Sequence, residues 1–125
     1  MFVMDTDHVT FFQQGHPSLT RHINTLAPNL VAVTIVTYEE QISGRLAVAH
    51  RAQKISERIQ AYYWLRRTQS FFCQMPIIPF DESAAAEYEQ LSGLRLRVGT
   101  RDQLIASIAI ANKAILLSRN LRDFQ

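Results

Sequence analysis

"FVMDTDH", residues 2–8, places three apolar residues directly before an acid, a threonine and a second acid. A short apolar run that meets polar residues so abruptly is typical of a strand that is buried up to its last residue. Three more runs of strand length follow along the chain: NLVAVTIV, PIIPF and AILLS. Because helical patterns separate these runs, we expect an α/β domain with a parallel sheet and right-handed crossovers.

The helical patterns lie between the predicted strands. A short helix follows the first strand, with Asp7 as its expected N-cap. A fourth helix is expected to begin at Asp81, also through an N-cap. The predicted helices span residues 8–14, 17–26, 37 to about 75 with a break between 44 and 52, 81–94 and 101–112.

Length and composition indicate one globular domain over residues 1–125. The only cysteine is Cys73, so no disulfide can form within the chain. No apolar run approaches the length of a membrane span, and the first residues lack the layout of a signal peptide, so we expect a cytoplasmic protein. The net charge of +2 is compatible with a nucleic-acid partner but does not require one.

Three acids are expected at one edge of the predicted sheet. Asp5 closes the first strand, Glu40 is predicted in the first turn of the helix after the second strand, and Asp102 opens the helix before the last strand. That last helix is long enough to return the chain to the carboxyl edge, where open α/β sheets bind ligands. A divalent cation would remove the repulsion among the three carboxylates, and oxygen ligands suit Mg²⁺ or Mn²⁺.

Each acid also has a purely structural explanation. Thr37 and Glu40 have the spacing of a capping box, so Glu40 would then cap a helix. Asp102 in a first turn would interact favourably with the helix dipole. Asp5 would be a turn residue. The sequence leaves both explanations open, and only the coincidence of three acids at one edge favours the metal site.

At these acids the chain resembles the PIN domain family, in particular the VapC-type toxin ribonucleases of type II toxin–antitoxin systems. The similarity covers nearly the whole chain and rests on FVMDTDH and on TIVTYEEQISG, in which Glu40 stands four residues before Gly44. Two later segments also resemble the family, PFDESAAAEYEQL and VGTRDQLIASIAIANKAILLSRNLRDF. The last is the most specific, through Asp102, Ile105 and Ala106.

The resemblance implies a three-layer α/β/α PIN-like fold with a central parallel sheet of four or five strands. It implies a Mg²⁺-dependent endoribonuclease, with Mn²⁺ as a substitute, that cleaves RNA such as transfer RNA and is inhibited by a cognate VapB-type antitoxin. Asp5, Glu40 and Asp102 correspond to its catalytic, metal-binding acids. A fourth acid is common in the family, but Asn120 occupies the position that we align with it, and Asp123 follows three residues later.

Several neighbours of the three acids are expected to support the site. Thr6, Ser118 and Asn120 would hydrogen-bond the carboxylates or a metal-bound water. Arg101 and Arg119 flank the acids and would contact phosphates of the substrate. Ordinary solvated arginines and a turn hydroxyl at Thr6 explain the same residues equally well.

Aromatic residues cluster in the second half of the long helical region. We expect a face through Ile55, Ile59 and Tyr62 to meet the sheet. The remaining rings would be partly exposed, so a surface containing Tyr62, Tyr63 and Trp64 is the expected contact for the antitoxin or for a second copy in a homodimer. A core on both faces of the helix is the alternative.

Two other functions are compatible with the pattern of acids. One is a catalytically weak PIN-like domain that serves as a binding module. The other is a phosphoacceptor receiver domain, which also gathers acids and magnesium at the edge of a parallel sheet. A receiver needs a lysine at the carboxyl end of a late strand, whereas Lys113 precedes the last strand, so the sequence disfavours that function.

Overall fold

A parallel sheet of four strands forms the centre of the protein. The computed structural model describes residues 1–15, 21, 30–94 and 97–117, and the expected helix over residues 17–26 falls largely outside them. The strand order is β3-β2-β1-β4, and each neighbouring pair is parallel. The strands are β1 (Phe2–Met4), β2 (Val31–Thr34), β3 (Ile77–Ile78) and β4 (Ile115–Leu117).

Five helices of the described residues surround this sheet: α1 (Thr6–Gln13), α2 (Ile35–Arg51), α3 (Ile55–Cys73), α4 (Glu82–Gly93) and α5 (Thr100–Ala111). The long helical region divides at residues 52–54, so Gly44 lies inside a continuous α2 and the expected break was placed too early. None of the described helices is long and apolar enough to cross a membrane.

The core lies on both faces of the sheet, because successive side chains of a strand point to opposite faces. Val3 of β1 belongs to one cluster, and its neighbour Met4 belongs to the other. The first cluster brings the sheet together with α2, α4 and α5, and the second with α1 and α3. This arrangement confirms the three-layer α/β/α fold. The buried members are Val3, Ala32, Val36, Ile78, Ala84, Ile105 and Ile108 on one side and Met4, Val9, Val31, Val33 and Phe72 on the other.

The start of α2 differs from the expected capping box. Thr34 is the N-cap, and its hydroxyl accepts the backbone N–H of Thr37 at 3.2 Å. Thr37 is therefore the third residue of the helix, where it is fully buried. Glu40 lies in the second turn rather than the first, so its side chain does not cap the helix and is available for contacts with other elements.

The face of α3 that packs into the protein is not the one expected. Ile55, Ile59 and Tyr62 are 74%, 64% and 51% exposed. The buried residues are Ala61, Thr68 and Phe72 instead. Ala61 and Thr68 are small and lie two turns apart on one face, which lets α3 approach its neighbours closely, and Phe72 fills the core at the end of that face.

Two isoleucines of α5 test how much this core contributes to the free energy of unfolding. Ile108 is fully buried, whereas Ile110 on the same helix is 45% exposed. We expect Ile108→Ala to lower the free energy of unfolding by about 2–5 kcal/mol, because it leaves a cavity in a packed cluster. Ile110→Ala should cost less than about 1 kcal/mol. Urea denaturation measures both values, and equal losses would contradict the assigned core.

Candidate active site at the carboxyl edge of the sheet

Asp5 lies where the central strand β1 ends. Its backbone N–H donates to the carbonyl oxygen of Leu117 at 3.1 Å, so the carboxyl ends of β1 and β4 meet at this residue. The residue is only 6% exposed. Its carboxylate Oδ1 accepts the backbone N–H of His8 at 2.8 Å, as an N-cap of α1 would. The cap is therefore Asp5, and the expectation for Asp7 was wrong, since Asp7 lies inside the first turn.

His8 is a neighbour of the site that the sequence analysis did not identify. Its ring nitrogen Nδ1 lies 3.0 Å from Asp5 Oδ1, so backbone and ring of one residue hold the same carboxylate oxygen. Within the described part of the chain, His8 is the one residue that contacts the Asp5 carboxylate, and the backbone N–H of Val9 donates to the Asp5 carbonyl oxygen at 3.0 Å. His8 follows Asp5 by three residues, the spacing of an N-cap contact, and at this spacing its ring also reaches the Asp5 carboxylate. This spacing is the signal in the sequence that could have revealed the contact.

Glu40 joins three elements of the fold. Thr6 at the start of α1 donates its hydroxyl to Glu40 Oε1 at 2.7 Å. Arg101 in the first turn of α5 donates from Nη1 to Glu40 Oε2 at 3.1 Å. Thr6 Oγ1 also lies 3.2 Å from the hydroxyl of the buried Thr37. Thr6 thus contacts one of the predicted acids, as expected, and both oxygens of Glu40 have partners.

Arg101 contacts a carboxylate of its own chain in this structure. Its side chain is 58% exposed and that of Glu40 is 22% exposed, so the ion pair is open to water and of modest strength. The pair has a positional consequence, because it holds the start of α5 beside α2. Asp102 is the next residue after Arg101 and is half-buried in that first turn.

The structure therefore brings Asp5, Glu40 and Asp102 to the same edge of the sheet, as predicted, through the contacts of Thr6 and Arg101. Their oxygen atoms are the ligands that Mg²⁺ and Mn²⁺ prefer. In the described residues, however, no three Asp, Glu, His or Cys side chains are grouped so that one ion could contact them all. The donor chemistry fits a divalent cation, and in this structure the two oxygens of Glu40 are in contact with Thr6 and Arg101.

The remaining predicted site residues follow β4. Ser118, Arg119, Asn120 and Asp123 lie outside the described residues. Lys113 is described: it precedes β4 and is therefore at the amino edge, opposite the acids. The structure gives no support to a receiver domain, which requires its lysine at the carboxyl edge.

The three exposed aromatic residues of α3 do not line one groove. Trp64 lines a cavity of about 480 Å³ that also contains Glu40 and Arg45. Tyr62 lines another, of about 360 Å³, with Tyr38 and Ile42. The two cavities lie on different sides of the α2–α3 contact. Tyr63 is 52% exposed, and its ring packs edge-on against Trp64 at 5.3 Å.

A parallel sheet between two helical layers, with acids at its carboxyl edge, places the chain among three-layer α/β domains. Solved structures of toxin–antitoxin complexes share this fold. VapBC2 from Rickettsia felis, bound to a promoter DNA fragment, matches with 26% identity and a TM-score of 0.74, covering 98% of this chain and 90% of that chain. DNA-bound VapBC from Salmonella typhimurium matches with 23% identity and a TM-score of 0.78, covering 98% and 89%.

FitAcB from Neisseria gonorrhoeae matches with 23% identity and a TM-score of 0.75, covering 99% of this chain and 91% of that chain. Neither a protein-family profile nor a curated protein sequence matches the chain significantly. The expected resemblance to VapC-type PIN domains is confirmed by these structures, and the fold is the PIN-like fold of VapC structures.

Arg101 and a divalent cation should compete for Glu40. We expect Arg101→Gln to tighten Mn²⁺ binding by about two- to fivefold, the range that corresponds to the loss of an exposed ion pair. Electron paramagnetic resonance of Mn²⁺ titrated into the purified protein measures this affinity. Arg97→Gln is the control, because Arg97 is an exposed arginine four residues away. Unchanged Mn²⁺ affinity in Arg101→Gln would show that Arg101 and the ion do not compete for Glu40.

Proposed function

We propose that this chain is the toxin of a VapBC-type toxin–antitoxin module and acts as a Mg²⁺-dependent endoribonuclease that hydrolyses phosphodiester bonds in RNA, transfer RNA being the expected substrate. The fold shared with toxin–antitoxin complexes supports the toxin. The observation that carries the nuclease is the arrangement around Glu40, which is contacted from α1 and α5 and so gathers acids from three elements at one edge of the sheet.

In this proposal Asp5 and Asp102 would hold the metal ion directly or through water, and Glu40 would complete the set. Mg²⁺ at this position would polarise a phosphoryl oxygen and activate a bound water for attack. Mn²⁺ would serve in its place because it accepts the same oxygen ligands.

The chain's own residues prepare this edge for catalysis. His8 fixes the orientation of the Asp5 carboxylate through two contacts, and Thr6 fixes that of Glu40. Such supporting contacts keep ligands oriented before the ion arrives. Arg101 is exposed, and its guanidinium would contact a phosphate of the RNA when Glu40 holds the ion instead.

The proposed inhibitor is a cognate VapB-type antitoxin, since the similar structures are toxin–antitoxin complexes. We assign its binding site to an apolar groove formed mainly by α2, whose residues Tyr38 and Ile42 line two adjoining cavities of about 590 Å³ and 360 Å³. An amphipathic helix is the partner that such a groove fits best. The groove is lined by Ile35, Tyr38, Ile42, Leu46, Tyr62, Phe80 and Leu104.

Neutral variants of two acids test the nuclease. We expect Asp5→Asn and Asp102→Asn to lower Mg²⁺-dependent cleavage of transfer RNA by at least about a hundredfold and to abolish growth arrest on expression, because each removes a charge that the cation needs. Asn caps helices as well as Asp, so Asp5→Asn should leave the fold intact.

Asp81→Asn is the matched control, because Asp81 caps α4 through the backbone N–H of Ala84 and lies outside the proposed site. Gel electrophoresis of the RNA, with EDTA as the metal-free reaction, measures cleavage, and circular dichroism checks folding. Cleavage at the wild-type rate by either site variant would refute the assigned acids. If the wild-type protein leaves RNA intact with Mg²⁺ present, the chain is instead a PIN-like binding module.

Substitutions in the apolar groove test the partner. We expect Ile42→Ser and Tyr62→Ser each to weaken binding of the antitoxin encoded beside this protein by about tenfold or more, as the loss of a central apolar contact does. Isothermal titration calorimetry measures the affinity. Leu94→Ser at the end of α4, 67% exposed and away from the groove, is the control.

If both groove variants bind the antitoxin normally, this placement is wrong. A change in oligomeric state in size-exclusion chromatography, with antitoxin affinity unaffected, would assign the groove to a second copy of the chain in a homodimer.

A further inference from the structure

A polar groove runs from the acidic edge to Trp64. We call this cavity of about 480 Å³ the Trp64 groove. Glu40 lies among its lining residues, so the groove is continuous with the proposed active site. Beside the Trp64 ring and other apolar surface, its walls present amide, hydroxyl, carboxylate and guanidinium groups, and this mixture suits a nucleotide better than it suits an apolar helix. It is lined by Thr10, Gln13, Gln14, Glu40, Gln41, Gly44, Arg45 and Trp64.

Arg45 is held in place beside Trp64. Its Nε donates to Thr68 Oγ1 at 3.1 Å, and that hydroxyl donates to the carbonyl oxygen of Trp64 at 2.8 Å. Thr68 is buried, with 3% of its surface exposed. The guanidinium carbon lies 5.4 Å from the centroid of the Trp64 ring. The cation and the ring thus form one fixed unit.

The terminal nitrogens of Arg45 have no acceptor among the described residues, since the one hydrogen bond of its side chain uses Nε. Two parallel N–H groups on an oriented guanidinium match the oxygens of a phosphate. Trp64 is 45% exposed, so part of the indole surface is accessible to a planar ligand. The indole of Trp64 is suited to the base of a nucleotide, and the neighbouring guanidinium of Arg45 is suited to its phosphate.

We propose that the Trp64 groove binds a nucleotide of a single-stranded RNA substrate, with its base stacked on Trp64 and an adjacent phosphate bound by Arg45. The strand then continues along the groove to Glu40 and the cleavage site. This inference rests on the proposed ribonuclease function and adds to it the form of the substrate. Stacking on an indole accepts any base, so the groove contributes affinity and position rather than sequence recognition.

The charge beside the groove favours RNA over a protein partner. Of the three arginines of α3, Arg58 lies over Tyr62 and Arg66 lines the cavity of Tyr62, whereas Arg67 lies on the side of Trp64. Arg67 also lines a smaller cavity that shares Arg45 and Trp64 with the groove. The apolar surface that suits a protein partner lies on the other side of the α2–α3 contact, around Tyr62.

The single tryptophan of the chain makes stacking directly measurable. In EDTA, where no cleavage should occur, a fluorescein-labelled single-stranded oligoribonucleotide reports binding by anisotropy, and the unlabelled oligoribonucleotide should quench the fluorescence of Trp64 in the wild-type protein. Trp64→Ala should weaken binding by about fivefold or more, the lower end of what one stacked base contributes. Trp64→Phe keeps an aromatic ring and should retain most of the affinity.

Arg45→Met should reduce the slope of log K against log salt concentration by about 0.7, the value for one phosphate contact to a single strand. Arg58→Met is its matched control, because Arg58 also lies over an aromatic ring, that of Tyr62 at 6.0 Å, but does not line the groove. In the Arg58→Met control, RNA should still quench the fluorescence of Trp64, and the slope of log K against log salt concentration should equal that of the wild-type protein. Circular dichroism confirms that each variant is folded.

Unquenched Trp64 together with normal RNA binding by Trp64→Ala would overturn the inference. So would weakened antitoxin binding by Trp64→Ala with unchanged RNA binding, which would assign the groove to the protein partner. If wild-type protein binds no RNA, this inference fails together with the ribonuclease function. If RNA binds through Trp64 but is not cleaved with Mg²⁺, only the ribonuclease function fails.

Discussion

The two hydrogen bonds to Glu40 are the contacts on which the site depends. Thr6 holds one oxygen from the start of α1, and Arg101 holds the other from the start of α5. Since α1 follows β1 directly and α5 leads to β4, these contacts bring the helix starts beside α2 at the carboxyl edge. The parallel sheet supplies the common edge, the buried core positions the helices on it, and the carboxylate of Glu40 links their starts there.

Asp5 and Glu40 have structural roles at this edge in addition to the proposed chemical one. Asp5 caps α1 through the backbone N–H of His8, and the same interaction orients its carboxylate. A helix start favours negative charge, so the buried acid is accommodated before any ion is present. Arg101 does the same for Glu40 by supplying a positive charge. The contacts of His8 with Asp5 and of Arg101 with Glu40 thus stabilise acids at this edge. In the proposed metal-bound state, a divalent cation would take over part of that role.

The packing of α3 on α2 separates two surfaces with different chemistry. On one side, Arg45 and Trp64 line a polar groove that reaches the acidic edge. On the other, Tyr38, Ile42 and Tyr62 line an apolar one. Consecutive residues of a helix are rotated by about 100° around its axis, so neighbouring aromatic residues serve different surfaces. The proposed RNA substrate and the proposed antitoxin would therefore bind the same pair of helices without sharing a groove.

The sequence by itself determined the order of the described strands and helices along the chain, the cap at Asp81 and the carboxyl-edge position of Asp5, Glu40 and Asp102. Short apolar runs, cap residues and parallel crossovers are local signals with few topological solutions. Only the tertiary structure decided which face of α3 is buried. That choice depends on how closely Ala61 and Thr68 let helices approach, whereas the bulkier Ile55 and Ile59 suggested the wrong face. Likewise, the pairing of Arg101 with Glu40 joins residues 61 positions apart, and no local pattern encodes such a contact.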